Sequence, residues 1–131
     1  MTAPTSAPAV SKKALWIGWI LGMLPMPLML FSGIMKFIMP ADAVKSFADL
    51  GWPVRLALAL GILELACTIL YLIPRTAVLG AILLTGYMGG AIATHVRIGE
   101  PFWMQATIGV LFWLGLYLRD PRLRALIPLR R

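Results

Sequence analysis

A carboxylate in the middle of a strongly apolar stretch is the first residue of this sequence that could do chemistry. Glu64 lies about ten residues inside the apolar run 54–73, which in a helix is about 15 Å deep. At that depth in a membrane its carboxyl group must be protonated or paired. Lys36, near the end of the preceding apolar run, is the natural partner because its long stem can reach inward. The two residues predict either a proton-relay or ligand site, or a structural ion pair that fixes helix register.

Three further polar side chains lie in the later apolar runs. Tyr87 and His95 share one helical face of the third run, and Gln105 lies near the start of the fourth. With Lys36 and Glu64 they predict a polar pocket that opens outward, in which His95 and Gln105 would hydrogen-bond a ligand. The alternative is structural: His95 would bond a backbone carbonyl, and Gln105 would bridge two helices.

Other reactive side chains are few. The chain has one histidine and one cysteine, Cys67, which are too few to ligate a metal ion, so we expect no metal site. A lone cysteine also excludes an internal disulfide and a C-x-x-C mechanism within the chain. The residues indicate no covalently bound cofactor.

The composition is that of a membrane protein. Of the 131 residues, 60% are hydrophobic and only 13% are charged, and the mean hydropathy is +0.87. A soluble domain of this size has too little interior to bury so much apolar surface, so the lipid bilayer is the expected surrounding. The net charge of +7 comes from basic residues at the ends of apolar runs, which favours membrane topology over nucleic-acid binding.

Four apolar runs organise the chain. They cover residues 14–39, 54–73, 76–96 and 102–118, and each is long enough to span a bilayer. Because the connections are short, the expected fold is all-α: a transmembrane antiparallel four-helix bundle over residues 14–118. Pro25 and Pro27 predict a kink in the first span. The spacing of apolar residues in the loop 40–52 predicts a short amphipathic helix at the membrane surface.

Two pairs of glycines predict helix-packing faces. Gly18 and Gly22 are four residues apart in the first span, and Gly86 and Gly90 are four apart in the third. Small residues at this spacing let helix backbones approach closely in a membrane. These faces could hold the bundle together or bind a partner membrane subunit or a second copy of the chain.

The ends and the turns predict the orientation. Residues 1–13 are rich in Pro, Ser and Ala and are expected to be disordered, and residues 119–131 form a basic tail. Both ends and the turn at Pro74 share one side, which carries eight of the Lys and Arg residues against four on the other. The positive-inside rule places the more basic side, with both termini, in the cytoplasm. The expected location is therefore a bacterial-type plasma (inner) membrane, with multiple spans.

In the order and spacing of several short motifs, the sequence resembles the DoxX-like family of small four-span membrane proteins. The resemblance covers about residues 16–126. The motifs that carry it are Ser32-Gly33-Ile34-Met35-Lys36, Leu50-Gly51-Trp52-Pro53, Gly61-Ile62-Leu63-Glu64, Pro74-Arg75, and the glycine-rich third span ending in His95.

The resemblance implies a modest set of properties. The family is named after a membrane subunit associated with quinone-linked sulfur oxidation, and members of the wider group do thiol redox chemistry or act as assembly factors. Lys36, Glu64 and His95 would be its polar core positions. A dithiol mechanism needs two cysteines, and this sequence has only Cys67. The sequence also has no pair of residues that would ligate a haem. As an enzyme it would be at most an accessory subunit of a quinone-linked oxidoreductase.

Three functions fit this sequence. The first is an accessory protein of redox or stress physiology that binds a quinone-like or other small amphipathic molecule in the outward-facing polar pocket. The second is a structural or assembly partner of another membrane protein. The third, a small transporter or proton pathway, is least favoured because one chain of four spans contains no recognisable inverted repeat.

Overall fold

A computed structural model describes residues 10–129, and every regular element in that range is helical. The α-helices are α1 (Lys12–Met23), α2 (Met26–Ile38), α3 (Ala41–Asp49), α4 (Ala57–Leu72), α5 (Ala77–Arg97), α6 (Trp103–Arg119) and α7 (Pro121–Leu126). Short 3₁₀ turns at Val54–Leu56 and Pro74–Thr76 lead into α4 and α5. The expected all-α class is confirmed for this range. Most of the predicted disordered segment 1–13 lies outside the described residues.

Lipid must cover much of this structure. Three helical segments, Lys12–Ile38, Val54–Leu72 and Pro74–Arg97, are long and apolar enough to cross a membrane. In their most apolar stretches only 28%, 33% and 28% of the residues are buried in protein. Because so much apolar surface has no cover within residues 10–129, a bilayer is its natural solvent. The chain is therefore a multi-pass membrane protein.

The first apolar segment is interrupted near its middle. α1 ends at Met23 and α2 begins at Met26. Pro25 and Pro27 lie at this junction, and each lacks the backbone N–H that a continuous helix would use. The kink predicted from these prolines is present as a break between two helices.

The long helices pack against one another in pairs. α1 packs along α6, α2 along α4, and α5 along both α4 and α6. At the centre, the Tyr71 ring meets the Phe112 ring edge-on with centroids 5.7 Å apart. The Tyr71 hydroxyl donates to the Phe112 carbonyl oxygen at 2.7 Å, so a buried polar group is satisfied while α4 is joined to α6.

Glycines let α1 and α6 touch at the backbone. A Cβ added at Gly115 would lie 2.5 Å from backbone atoms of Gly22, and one added at Gly18 would lie 2.8 Å from the Gly115 carbonyl oxygen. The second predicted glycine face behaves differently. A Cβ at Gly86 or Gly90 would meet nothing within 4 Å, so that face has no packing partner within residues 10–129.

The loop after α2 forms the expected short amphipathic helix. α3 buries Phe47 and exposes most of its other residues, as an amphipathic helix does. Gly51 follows it with φ of 82°, a left-handed conformation that glycine adopts without a steric penalty. The Arg97 guanidinium at the end of α5 donates to the Leu50 carbonyl oxygen and ties this helix to the span beneath it.

The tail after α6 begins with a helix cap. The Asp120 carboxylate accepts a hydrogen bond from the Arg122 backbone N–H at 2.9 Å, which starts α7. Arg124 then donates to the carbonyl oxygens of Tyr117 and Leu118 at the end of α6. The tail helix is therefore folded back against α6.

The close contact between α1 and α6 predicts that alanine is tolerated at one glycine of α6 and not at another. We expect Gly115→Ala to lower the stability in detergent by about 2 kcal/mol, because its Cβ would overlap the rigid backbone of α1. Gly109→Ala is the matched control, since a Cβ there meets nothing within 4 Å. It should leave the unfolding midpoint unchanged or slightly raised. Equal losses for both variants would contradict the close α1–α6 contact.

Candidate functional site

The buried ion pair predicted from the sequence is formed. The Lys36 ammonium lies 2.6 Å from the Glu64 carboxylate oxygen Oε2. Glu64 is 2% exposed and Lys36 is 16% exposed, so the carboxylate is inside the protein and the ammonium is at its edge. A charge removed from water this completely is stable only with a close partner of opposite sign.

Two hydroxyl groups complete this cluster. Oε2 of Glu64 also accepts from the Tyr87 hydroxyl at 3.0 Å and from the Ser32 hydroxyl at 3.3 Å. The Lys36 ammonium donates to the same Ser32 hydroxyl at 2.9 Å. The cluster thus joins α2, α4 and α5 through one carboxylate oxygen, and its members are Ser32, Lys36, Glu64 and Tyr87.

Close approach of α2 and α4 positions the pair. A Cβ at Gly61 would lie 2.9 Å from the Lys36 Cβ and 3.1 Å from the Gly33 carbonyl oxygen. Only glycine at position 61 therefore allows the lysine stem to run directly beside α4. One turn after Gly61, Glu64 comes onto the same face.

His95 and Gln105 form a second, separate group. The His95 Nδ1 lies 2.8 Å from the Ala91 carbonyl oxygen, which can only accept, so Nδ1 carries a hydrogen. Nε2 of His95 lies 3.4 Å from the Gln105 amide nitrogen and accepts from it. A Glu100 carboxylate oxygen lies 4.0 Å from the same Nε2. The ring is therefore held by its own helix and presented to the start of α6.

The side-chain oxygen of Gln105 receives no hydrogen bond from the described part of the chain. Oε1 is buried and unpartnered among residues 10–129. A buried acceptor left unpaired costs about 1–3 kcal/mol. Such an orphan atom marks a place where a ligand group could donate a hydrogen bond.

Gln105 lies at one end of an apolar groove. The groove has a volume of about 770 Å³, within the usual range for small-molecule sites, and runs between α5 and α6 toward α7. Across it the Trp113 indole N–H donates to the Thr85 hydroxyl at 2.6 Å, so these two polar groups satisfy each other. The other lining residues are Met88, Gly89, Ile92, Ala106, Gly109, Val110, Leu114, Tyr117, Leu123, Ile127 and Pro128.

The five predicted site residues thus fall into two groups and not into a single pocket. Lys36, Glu64 and Tyr87 meet in the ion-pair cluster, whereas His95 contacts Gln105 beside the groove. No hydrogen bond within residues 10–129 joins the two groups. Tyr87 and His95 are eight residues apart on α5, about 12 Å along its axis. Of these five, only Gln105 lines the groove.

Sequence reasoning did not include one member of the cluster as a site residue. Ser32 lies four residues before Lys36, on the inward face of the first span. That spacing places its hydroxyl beside the lysine stem, and this was the available signal. Serine is common at helix contacts in membranes, so the residue type alone could not single it out.

These features define an all-α multi-pass membrane protein with a buried ion pair and a separate apolar groove. The chain belongs to the DoxX-like family, whose profile matches residues 20–117, well over half of its length. Comparison with curated proteins and with solved structures gave no match.

Breaking the buried pair should cost far more than breaking an exposed one. Lys36→Met leaves the Glu64 carboxylate without its counter-ion, and we expect a loss of about 3 kcal/mol in detergent unfolding. Uptake of a proton by Glu64 would relieve part of this cost. It would appear as a carboxylic C=O infrared band that is absent in Lys36→Met/Glu64→Gln.

A matched control is available on α3. Lys45→Met removes an exposed pair, in which Lys45 and Asp49 lie 3.4 Å apart. Its effect should stay below about 1 kcal/mol. If Lys36→Met cost no more than Lys45→Met, the cluster would not hold α2 and α4 together.

Proposed function

We propose that the chain crosses a bacterial-type inner membrane as an antiparallel four-helix bundle. α1 and α2 together form the first span, and α4, α5 and α6 form the others. The packing of α6 against both α1 and α5 supports this arrangement. α6 has 17 residues, which is at the short end of the range for a span. Both termini would lie in the cytoplasm, since most basic residues are on their side.

Within that bundle, we propose that the groove between α5 and α6 binds a quinone-like or similar small amphipathic molecule. The observation that carries this function is the buried, unpartnered Gln105 Oε1 at one end of an otherwise apolar groove. The groove extends from Gln105 to Tyr117 along α6, about 18 Å. That shape suits one polar ring followed by an apolar tail.

The free hydrogen-bonding atom of Gln105 limits which polar groups the ligand can carry. Gln105 Oε1 is an acceptor, and its amide nitrogen is already directed at His95. The ligand must therefore donate a hydrogen bond, as a hydroquinone, phenol or alcohol does and a quinone does not. The groove is predicted to prefer the reduced, hydroxyl-bearing form of such a molecule.

The ion-pair cluster has a different part in this proposal. Neither Glu64 nor Tyr87 lines the groove, so a proton accepted or relayed by Glu64 would be exchanged within the cluster and not with the ligand. Lys36 would hold the negative charge. Because the chain belongs to the DoxX-like family, we also propose that it acts in redox or stress physiology, as an accessory protein with no catalysis of its own.

Ligand binding to the purified chain tests the groove directly. The probes are a short-tailed benzoquinol and its dimethyl ether, which has the same ring but no hydrogen to donate. We expect the quinol to bind at least tenfold more tightly than the ether, and Gln105→Leu to remove that difference. Equal binding of both probes to the unmodified protein would contradict the proposal.

Two glycines on α5 provide a matched pair of groove variants. Gly89 lines the groove and Gly86 does not, and a Cβ at either meets nothing within 4 Å. Gly89→Leu should fill the groove and abolish quinol binding while the protein stays folded. Gly86→Leu should bind the quinol normally.

A separate observation favours a second function, which is assembly with another membrane protein or with a second copy of the chain. Gly86 and Gly90 form an open small-residue face on α5 that no described helix covers. Such faces promote close helix contacts in lipid. Crosslinking in native membranes should then give a discrete product that Gly86→Leu and Gly90→Leu both remove. Unchanged products in both variants would dismiss this role.

A further inference from the structure

A second cavity lies at the opposite end of the helices from Gln105. It has a volume of about 350 Å³ and is bordered by α1, the turn Pro74–Thr76, the start of α5, the end of α6 and the start of α7. It shares no lining residue with the groove and contains no member of the ion-pair cluster. Its most distinctive lining residue is an arginine.

The Arg119 guanidinium in this cavity is held by aromatic rings, and no residue between 10 and 129 offers it a hydrogen-bond acceptor. Its Cζ lies 4.0 Å from the centre of the Trp19 ring and 5.4 Å from that of Tyr71. Its Nη1 is buried and has no hydrogen-bond partner among residues 10–129. Stacking occupies the face of a guanidinium, whereas its N–H bonds lie in its plane. The edge is therefore left able to donate to an acceptor from outside the chain.

The backbone contact described above fixes this arginine in place. A Cβ at Gly18 would lie 3.1 Å from the backbone nitrogen and the Cβ of Arg119. Gly18 therefore brings the end of α6 directly against α1, where Trp19 follows in the sequence. This contact keeps the guanidinium beside the ring, so it is poorly placed to extend into water as a free arginine would.

The charge at this end favours an anion. Within residues 10–129 the basic residues there are Lys12, Lys13, Arg75, Arg119, Arg122 and Arg124, and the acidic residue is Asp120. Asp120 lines the cavity, but its carboxylate already caps α7 and lies 3.6 Å from the Arg122 Nε. The local field is thus positive, with one carboxylate already engaged.

The rest of the lining is apolar and reaches the lipid-facing surface. Leu15 and Trp19 of α1, Ala77 of α5 and Leu116 of α6 border the cavity. Leu15 is 39% exposed, so the cavity is not closed off on the side where lipid lies. Positive charge beside an apolar border matches a phosphate group that carries acyl chains.

We propose that this cavity binds the phosphate group of an anionic phospholipid. The free edge of Arg119 donates to the phosphate oxygens, which match a guanidinium in geometry. Arg122 supplies a second positive charge, and Leu15 and Trp19 contact the start of the acyl chains. Free inorganic phosphate offers the same oxygens and is the other source of this chemistry.

Native mass spectrometry of the delipidated full chain tests the site with three probes. These are phosphatidylglycerol, a diacylglycerol with the same acyl chains but no phosphate, and inorganic phosphate. We expect one phosphatidylglycerol to bind at least tenfold more tightly than the diacylglycerol. Competition by inorganic phosphate at millimolar concentration would also support a phosphate site, and its binding without any lipid binding would identify free phosphate as the source.

Variants separate a specific site from general attraction to positive charge. Arg119→Gln should lower phosphatidylglycerol affinity at least tenfold, and Arg119→Lys, which keeps the charge and most of the stem, should lower it severalfold. Arg55→Gln removes an exposed charge at the other end and should have no effect. Should Arg119→Gln fail to fold, the lysine variant and the exposed Arg122→Gln, also expected to weaken binding, decide the question. Unchanged affinity in Arg119→Lys and Arg122→Gln, or equal binding of phosphatidylglycerol and diacylglycerol, would overturn the proposal.

Discussion

Helices in a bilayer gain little from apolar contact with one another, because lipid tails are as apolar as the side chains they replace. Close backbone approach and polar contacts must therefore hold this structure together. α1 meets α6 where Gly18 and Gly22 face Gly115, and α2 meets α4 where Gly33 lies beside Gly61. These two contacts determine which side chains meet, since each brings a charged residue directly against a neighbouring helix.

The contact between α2 and α4 explains how a charge can remain at depth. Without a side chain at position 61, the Lys36 stem lies along α4 and its ammonium reaches Glu64. Hydroxyl groups from α2 and α5 then share the same carboxylate oxygen. A pair connected in this way costs several kcal/mol to break but adds little stability compared with an apolar replacement. Its value to the protein therefore lies in fixing the register of the helices or in chemistry.

The contact between α1 and α6 organises the opposite end. It brings Arg119 beside Trp19, where the guanidinium is supported but not satisfied. Gln105, near the other end of α6, is also buried with one unpaired atom. With respect to residues 10–129, one helix thus carries an unpaired donor at its end and an unpaired acceptor near its start. The two atoms suit opposite partners, since a phosphodiester can only accept from Arg119 and a hydroxyl can donate to Gln105.

Much of the fold and one part of the candidate site could be predicted from the sequence. Apolar runs, prolines and short connections predicted the helices, the break near Pro25 and the surface helix α3, because these depend on local pattern and on the cost of exposing backbone to lipid. The Lys36–Glu64 pair was also predictable, because a carboxylate at that depth requires a partner and few cations lie within reach. Tertiary structure alone decided that His95 and Gln105 lie apart from that pair, that Gly86 and Gly90 remain uncovered, and that Arg119 stacks on Trp19. The reason is physical: helical periodicity specifies the face on which a residue lies, whereas its neighbour across that face depends on the rotation and depth at which two helices meet.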